Sequence, residues 1–192
     1  MKHKTKISNS ERKDKTMNQD LRGQIWVETA IYTLIGLTLI SIILSVAIPQ
    51  VQKIKDRSIL RQSAESLIDL TNELLKISDV AGNLRIFYFA FDKGRLEINS
   101  SGDSISYRLE NTNYKFSEPG KKILYGDITY ETQTYGKKYI ITLSLNYTNT
   151  HNITFKGKDD TYIIHNGIYK IKMENIGDIQ PNQKIHIDFD VV

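Results

Sequence analysis

The side chains able to do metal or acid–base chemistry in this chain are few and dispersed. No cysteine occurs, which excludes disulfides, thiolate metal sites and cysteine nucleophiles. The four histidines lack the mutual spacing of a zinc site. His186, Asp188 and Asp190 alternate on one face of a predicted strand, where they would suit a weak divalent-metal site. The preceding strand carries alternating charges of its own: Lys170, Lys172 and Glu174. Cross-strand ion pairs account for these carboxylates, and we predict neither a metal nor a cofactor.

Catalytic motifs are equally sparse. The pairs Gly136-Lys137 and Gly157-Lys158 lack the remaining glycine of a phosphate-binding loop. No serine lies in the context of a nucleophile elbow. We therefore predict that the chain is not an enzyme.

Three Asn-X-Ser/Thr sequons are candidate glycosylation sites, at Asn99, Asn146 and Asn152. Asn99 lies in a predicted turn and Asn146 on the polar face of a predicted strand. Ten of the eleven tyrosines follow residue 80. Tyrosine suits either the edge of a core or an exposed contact surface.

The excess of basic over acidic residues is confined to the first residues of the chain. The formal net charge is +4. Residues 1–23 hold seven Lys or Arg against three Asp or Glu, and the remaining residues balance to zero. A nucleic-acid-binding protein needs a basic face on its folded part, so this distribution argues against a nucleic-acid partner.

An uncharged run of twenty residues from Thr29 to Ile48 dominates the hydropathy pattern. As a helix it would span about 30 Å, which is the thickness of a bilayer core. A buried helix of a soluble domain is the alternative, but such runs are usually shorter. A cleaved secretory signal ending at Ser45-Val46-Ala47 is a second alternative. It is disfavoured because the apolar run is too long and Pro49 follows the cut.

A glutamate precedes this run, and the residues around it form a pattern. The stretch Arg22-Gly23-Gln24-Ile25-Trp26-Val27-Glu28 leads directly into the apolar segment. It resembles the N-terminal region of type IV pilin-like proteins, and more specifically the archaeal class with a class III signal peptide. The resemblance covers roughly residues 17–60.

The resemblance implies a processing site and an assembly residue. A prepilin peptidase would recognise Arg22, Gly23 and Gln24 and cut after Gly23, so that Gln24 becomes the first mature residue. Glu28 is then the fifth, and would pair in the filament with the α-amine of an adjacent subunit. The alternative is that Glu28 lies at the level of the lipid headgroups and is simply hydrated. Implied partners are the peptidase, other pilin subunits, a membrane-embedded assembly platform and, before assembly, the membrane itself.

The true start of the leader stays open between Met1 and Met17. A start at Met17 would give a seven-residue leader. In either case the basic N-terminal side would be cytoplasmic by the positive-inside rule.

The helix is expected to continue past the apolar run. Pro49 would kink it, yet apolar residues recur at helical spacing from Val51 to Ser78. These are Leu60, Ala64, Leu67, Ile68, Leu74 and Leu75. We predict a kinked, continuous helix from about Ile25 to about Ser78, broken by residues 79–83 with Gly82 as its C-cap.

The rest of the chain reads as β structure. Two segments alternate cleanly: Ile141, Leu143, Leu145 and Tyr147 in one, and Ile185, Ile187, Phe189 and Val191 in the other. Predicted strands cover 84–91, 95–99, 104–110, 121–132, 137–148, 161–165, 168–175 and 184–191, with a turn at 92–94. The predicted class is α+β, with an antiparallel, sandwich-like head.

Three segments and two functions follow from this pattern. The segments are a leader (1–23), a long helix (24–80) and an extracellular head (81–192). The first function is a structural subunit of an archaeal type IV pilus-like surface filament, as a major or minor pilin or a pseudopilin. The second is a single-pass, membrane-anchored extracellular binding protein. An uncleaved anchor has no use for Gly23 and Glu28, which favours the filament subunit.

Overall fold

The computed structural model describes the backbone of residues 5–177 and 184–192, and side chains from Gln24 onward. The chain divides into two compact units, Met1–Gln50 and Val51–Val192. The C-terminal part of the helix thus belongs to the same unit as the β structure.

One helix, α1, runs from Thr5 to Ser78. It begins earlier than the predicted Ile25 and ends at the predicted residue. Pro49 lies inside it. Proline has no N–H to donate to the carbonyl four residues back, and the helix tolerates this loss without ending. Continuity past Pro49 is therefore confirmed, whereas the kink stays a prediction.

Eight strands follow the helix within the described residues. They are β1 (Leu84–Asn99), β2 (Ser104–Thr112), β3 (Lys122–Tyr125), β4 (Ile128–Tyr135), β5 (Lys138–Asn146), β6 (His151–Phe155), β7 (Thr161–Asn175) and β8 (Ile185–Val191). The predicted strand 121–132 is in fact two strands, because Gly126 adopts a φ of +61° and turns the chain. β6 was not predicted as a strand.

The described strands form one curled sheet in the order β3-β4-β5-β2-β1-β7-β8-β6. The α+β class is confirmed, and the pairing is antiparallel except between β6 and β8, which are parallel. β8 therefore lies between an antiparallel neighbour, β7, and a parallel neighbour, β6. The sandwich-like packing of the head is not confirmed and stays a prediction.

The predicted turn at residues 92–94 is wrong. β1 continues through it, and β7 pairs with β1 on both sides, from Leu84 to Phe91 and from Arg95 to Asn99. The register shifts between Phe91 and Arg95 as in a β-bulge, and Gly94 adopts a φ of +95° there. The two predicted strands 161–165 and 168–175 are accordingly the single strand β7.

The core of the second unit lies between α1 and the sheet. The helix contributes six buried apolar residues: Leu60, Ala64, Leu67, Leu70, Leu74 and Ile77. The sheet contributes the alternating face of β5 and, from β8, Ile187 and Phe189. The predicted burial of Ile68 and Leu75 is wrong, because these side chains are 47% and 54% exposed. Each fully buried side chain of this kind contributes about 1.5–3 kcal/mol.

Polar contacts fix the helix at both ends of this core. The buried Asp56 carboxylate accepts a hydrogen bond from Lys93 Nζ at 2.7 Å and from Thr112 Oγ1 at 2.6 Å. At the other end, Asn175 Nδ2 donates to the carbonyls of Ile77 and Ser78 at 2.9 and 3.1 Å. The amide of Asn175 therefore caps the helix, a role that the sequence had assigned to Gly82.

Two polar side-chain contacts also join the last helical turns to the loop before β6 and to the first residue of β6. Thr71 Oγ1 lies 2.9 Å from Tyr147 Oη, and Ser78 Oγ lies 3.0 Å from His151 Nε2. Burial lowers the pKa of His151, and the charge of Asp103 opposes that shift. Burial likewise raises the pKa of Tyr147 to about 12. Both side chains are therefore held in their neutral forms at neutral pH.

Gly94→Ala should destabilise the second unit strongly. A Cβ at this position would lie 2.6 Å from Tyr107 Oη and 2.7 Å from the Arg108 carbonyl, at a φ that side chains rarely adopt. Backbone strain and steric overlap together predict that the free energy of unfolding, measured in urea, falls by about 2–5 kcal/mol. Gly120→Ala is the matched control, because its φ is +81° with no atom within 4 Å. A loss no greater than that of the control would contradict the close approach at Gly94.

His151 should make stability depend on pH. Its pKa is lowered in the folded state. Below about pH 6.5 the imidazole is therefore protonated more in the unfolded chain than in the folded chain. Stability is therefore full above that pH and is lost as the pH falls through the folded pKa. Thermal unfolding between pH 7.5 and 5 should show this slope, and His151→Gln should flatten it. The exposed His165 is the control, and equal slopes for His151→Gln and His165→Gln would refute the assignment.

Candidate functional site

Residues 24–50, the part of the first unit whose side chains are described, present an apolar helical surface. Trp26 is 80% exposed and Leu34 66% exposed, and the other large apolar side chains of the segment are exposed too. The helix is long and apolar enough to cross a membrane, and its most apolar window has no buried residue within the described chain. Exposed apolar surface of this extent is typical of segments that contact lipid or other proteins.

The serine and threonine hydroxyls of this segment are satisfied by the helix itself. Each donates a hydrogen bond of 2.7–2.8 Å to a carbonyl three or four residues earlier: Thr29, Thr33, Thr38, Ser41 and Ser45. Unsatisfied donors are what make polar groups costly in an apolar medium. These bonds lower the cost of placing the serine and threonine side chains in such a medium.

Glu28 belongs to a short polar stripe at the start of the described helix. Gln24, Glu28 and Tyr32 follow one another at four-residue spacing and line one shallow depression with Val27 and Ile31. All three are exposed. The predicted first mature residue and the predicted assembly residue therefore share a helix face. A neighbour packed on that face would contact both.

The other two predicted cleavage residues are described only in part. The backbone of Arg22 and Gly23 lies within α1, and their side chains are outside the described residues. A peptidase needs an extended chain at the bond that it cuts. Glycine weakens a helix by about 1 kcal/mol relative to alanine, so Gly23 lowers the cost of local unwinding.

The three sequons differ in accessibility. Asn146 and Asn152 are exposed, whereas Asn99 is half-buried. The Asn99 side-chain oxygen accepts hydrogen bonds from Ser101 Oγ at 2.9 Å and the Gly102 N–H at 3.1 Å. Asn99 and Asn146 both pair with Ser104 in the sheet, which places them at one end of the head. Asn146 and Asn152 are the better-presented acceptors.

The acidic face of β8 is occupied by hydrogen bonds and lysine. Asp188 accepts a hydrogen bond from Thr154 Oγ1 at 2.6 Å, and Asp190 pairs with Lys156 at 3.2 Å. Thr154 lies in β6 and Lys156 directly follows it. On the predicted partner strand, β7, Lys172 stands opposite Asp190 in the sheet and donates a hydrogen bond to Glu174 of its own strand at 3.0 Å. That hydrogen bond raises the pKa of Lys172. Within the described residues no cluster of His, Asp and Glu is placed to hold a metal ion.

A cleft on the head was missed by the sequence analysis. It lies between α1 and the β3–β4 hairpin and is lined by Arg57, Arg61, Tyr114, Phe116 and Tyr125, among others. These residues are distant in sequence and share no local motif. The concentration of tyrosine beyond residue 80 was the one available signal.

Comparison of the chain with models of protein families, with curated proteins and with solved structures found no match.

Proposed function

We propose that this chain is a structural subunit of an archaeal type IV pilus-like surface filament. It is processed by a prepilin peptidase after Gly23 and assembled through its N-terminal helix. The observation that carries the proposal is the exposed apolar helix over residues 24–50, which begins with Gln24 and Glu28 on one face. A self-contained folded head follows that helix in the chain.

The same apolar surface serves the precursor and the polymer. As a precursor, the helix lies in the membrane, with the basic leader holding the N-terminus in the cytoplasm. In the filament, helices of neighbouring subunits take the place of lipid. Cleavage after Gly23 removes the whole charge excess, because residues 24–192 are neutral overall. A neutral subunit reduces repulsion in a dense polymer. A membrane-embedded platform extracts the mature subunit, and the head stays on the outside.

Cleavage also supplies the partner for Glu28. The new α-amine of Gln24 and the Glu28 carboxylate lie one helical turn apart along the same face. Either charge alone is costly inside a bundle of apolar helices, and a pair between adjacent subunits neutralises both. Neutralisation demands the correct axial offset between subunits. The pair therefore favours a single axial register between neighbouring subunits.

A membrane-anchored extracellular binding protein is the second candidate, and the cleft beside Tyr125 is the observation that favours it. It needs the same membrane helix but no cleavage and no subunit contact. The state of the N-terminus and the role of Glu28 separate the two candidates.

Glu28→Gln tests the proposed assembly. Glutamine keeps the shape and polarity of the side chain, so membrane insertion and cleavage after Gly23 should be normal. The neighbouring amine is left without its counter-charge, at a cost of about 3–5 kcal/mol in buried pairs. Filament yield should fall by orders of magnitude in cells that express the variant as the sole copy.

Gly23→Val is the contrasting variant in the same cells. A side chain at the cut crowds the peptidase, so this variant should remain in the membrane as the heavier, unprocessed species. Wild-type filament yield with fully processed Glu28→Gln would eliminate the electrostatic role of Glu28. Normal processing of Gly23→Val would place the cut elsewhere.

A further inference from the structure

The cleft on the head has a mixed aromatic and cationic lining. One wall is the face of α1 between Arg57 and Ile68, about 16 Å long. The opposite wall carries Tyr125 at the end of β3, together with the loop that precedes it. The cleft is partly open, and its volume of about 350 Å³ falls within the range of small-molecule sites.

Aromatic rings form the floor and the outer wall. Phe116 stacks on the buried Tyr130, with ring centroids 4.5 Å apart and planes 16° from parallel. Phe116 is nevertheless 37% exposed and Tyr125 73% exposed. Burying such rings against a ligand releases water from a large apolar area, and the tyrosine hydroxyl remains available for hydrogen bonds.

The helical wall supplies an uncommitted positive charge. Arg57 and Arg61 are one turn apart on the same face. Arg61 Nε donates to Glu65 Oε1 at 2.9 Å. Among the described side chains, Arg57 has no ion-pair partner. The cleft thus carries one surplus guanidinium, whose fork of donors matches a carboxylate.

We infer that this cleft binds an anionic saccharide. The apolar face of a sugar ring stacks on Tyr125 and Phe116, its carboxylate is held by Arg57, and Glu65 and the tyrosine hydroxyls hydrogen-bond its hydroxyl groups. The inference rests on the proposed function in so far as that function places the head outside the cell, where such polymers are met.

Other occupants fit the charges less well. The apolar segment of a second copy is uncharged from Thr29 to Ile48, so it would bury Arg57 without a counter-charge. A nucleic acid requires a broad basic surface, whereas residues 24–192 are neutral overall. An anionic saccharide satisfies the rings, the surplus cation and the limited volume together.

Titration of the detergent-solubilised, full-length protein with trigalacturonate tests the inference, with maltotriose as the neutral probe. Wild type should bind trigalacturonate saturably and in preference to maltotriose. Arg57→Gln and Tyr125→Ala should each raise the Kd for trigalacturonate about tenfold. Tyr135→Ala is the matched control, because Tyr135 is 70% exposed and lies outside the cleft lining. This variant should bind as wild type does.

Three results would overturn the inference. The first is no saturable binding of trigalacturonate by wild type. The second is an equal Kd for Arg57→Gln, Tyr125→Ala and Tyr135→Ala. The third is loss of filaments by Tyr125→Ala without saccharide binding by wild type, which would make the cleft a contact between subunits. Binding is measured on solubilised protein, so its failure is distinguishable from a failure of processing after Gly23.

Discussion

The helix surface from Ile25 to Val51 is apolar and remains exposed. The need to cover this surface is the constraint on which the rest of the structure depends. Burial of apolar surface is the main favourable term in folding and association, and here a long stretch of it is uncovered. Its serine and threonine hydroxyls donate hydrogen bonds to carbonyls of the same helix, which suits the segment to a medium without water. Both roles proposed for the segment, membrane span and filament core, supply such a medium.

The C-terminal part of the same helix meets the opposite requirement. It buries its apolar stripe against the sheet, and its two ends are tied down by the Asp56 carboxylate and the Asn175 amide. In the sheet, β1 pairs with β7 on both sides of a bulge, and a Cβ at position 94 of that bulge would overlap Tyr107 and Arg108. In the proposed function the head has to stay folded outside the membrane, and because the chain has no cysteine, its stability rests on this packed core and not on disulfides.

Patterns confined to one element predicted the fold well. The alternation around Ile141 and Ile187 predicted which faces of β5 and β8 are buried, and the helical spacing predicted an α1 that ends at Ser78.

Features set by distant partners were not predictable. The 92–94 segment has the composition of a turn, and only its pairing with β7 makes it a bulge. The aromatic cleft is likewise assembled from the helix, a loop and a hairpin, which no local pattern links. The polar stripe through Glu28 was predictable because three residues at four-residue spacing need no partner to share a face.

The mature N-terminus is the most direct test of the account. N-terminal sequencing, with the intact mass, would be performed on the protein recovered from the cell surface. The account predicts that the chain begins at Gln24 and has lost the entire basic leader. A chain that begins at Met1 or Met17 would contradict it, because the membrane anchor would then be uncleaved. A start at Ile48 would contradict it as well, since the apolar helix would have been removed as an ordinary secretory signal.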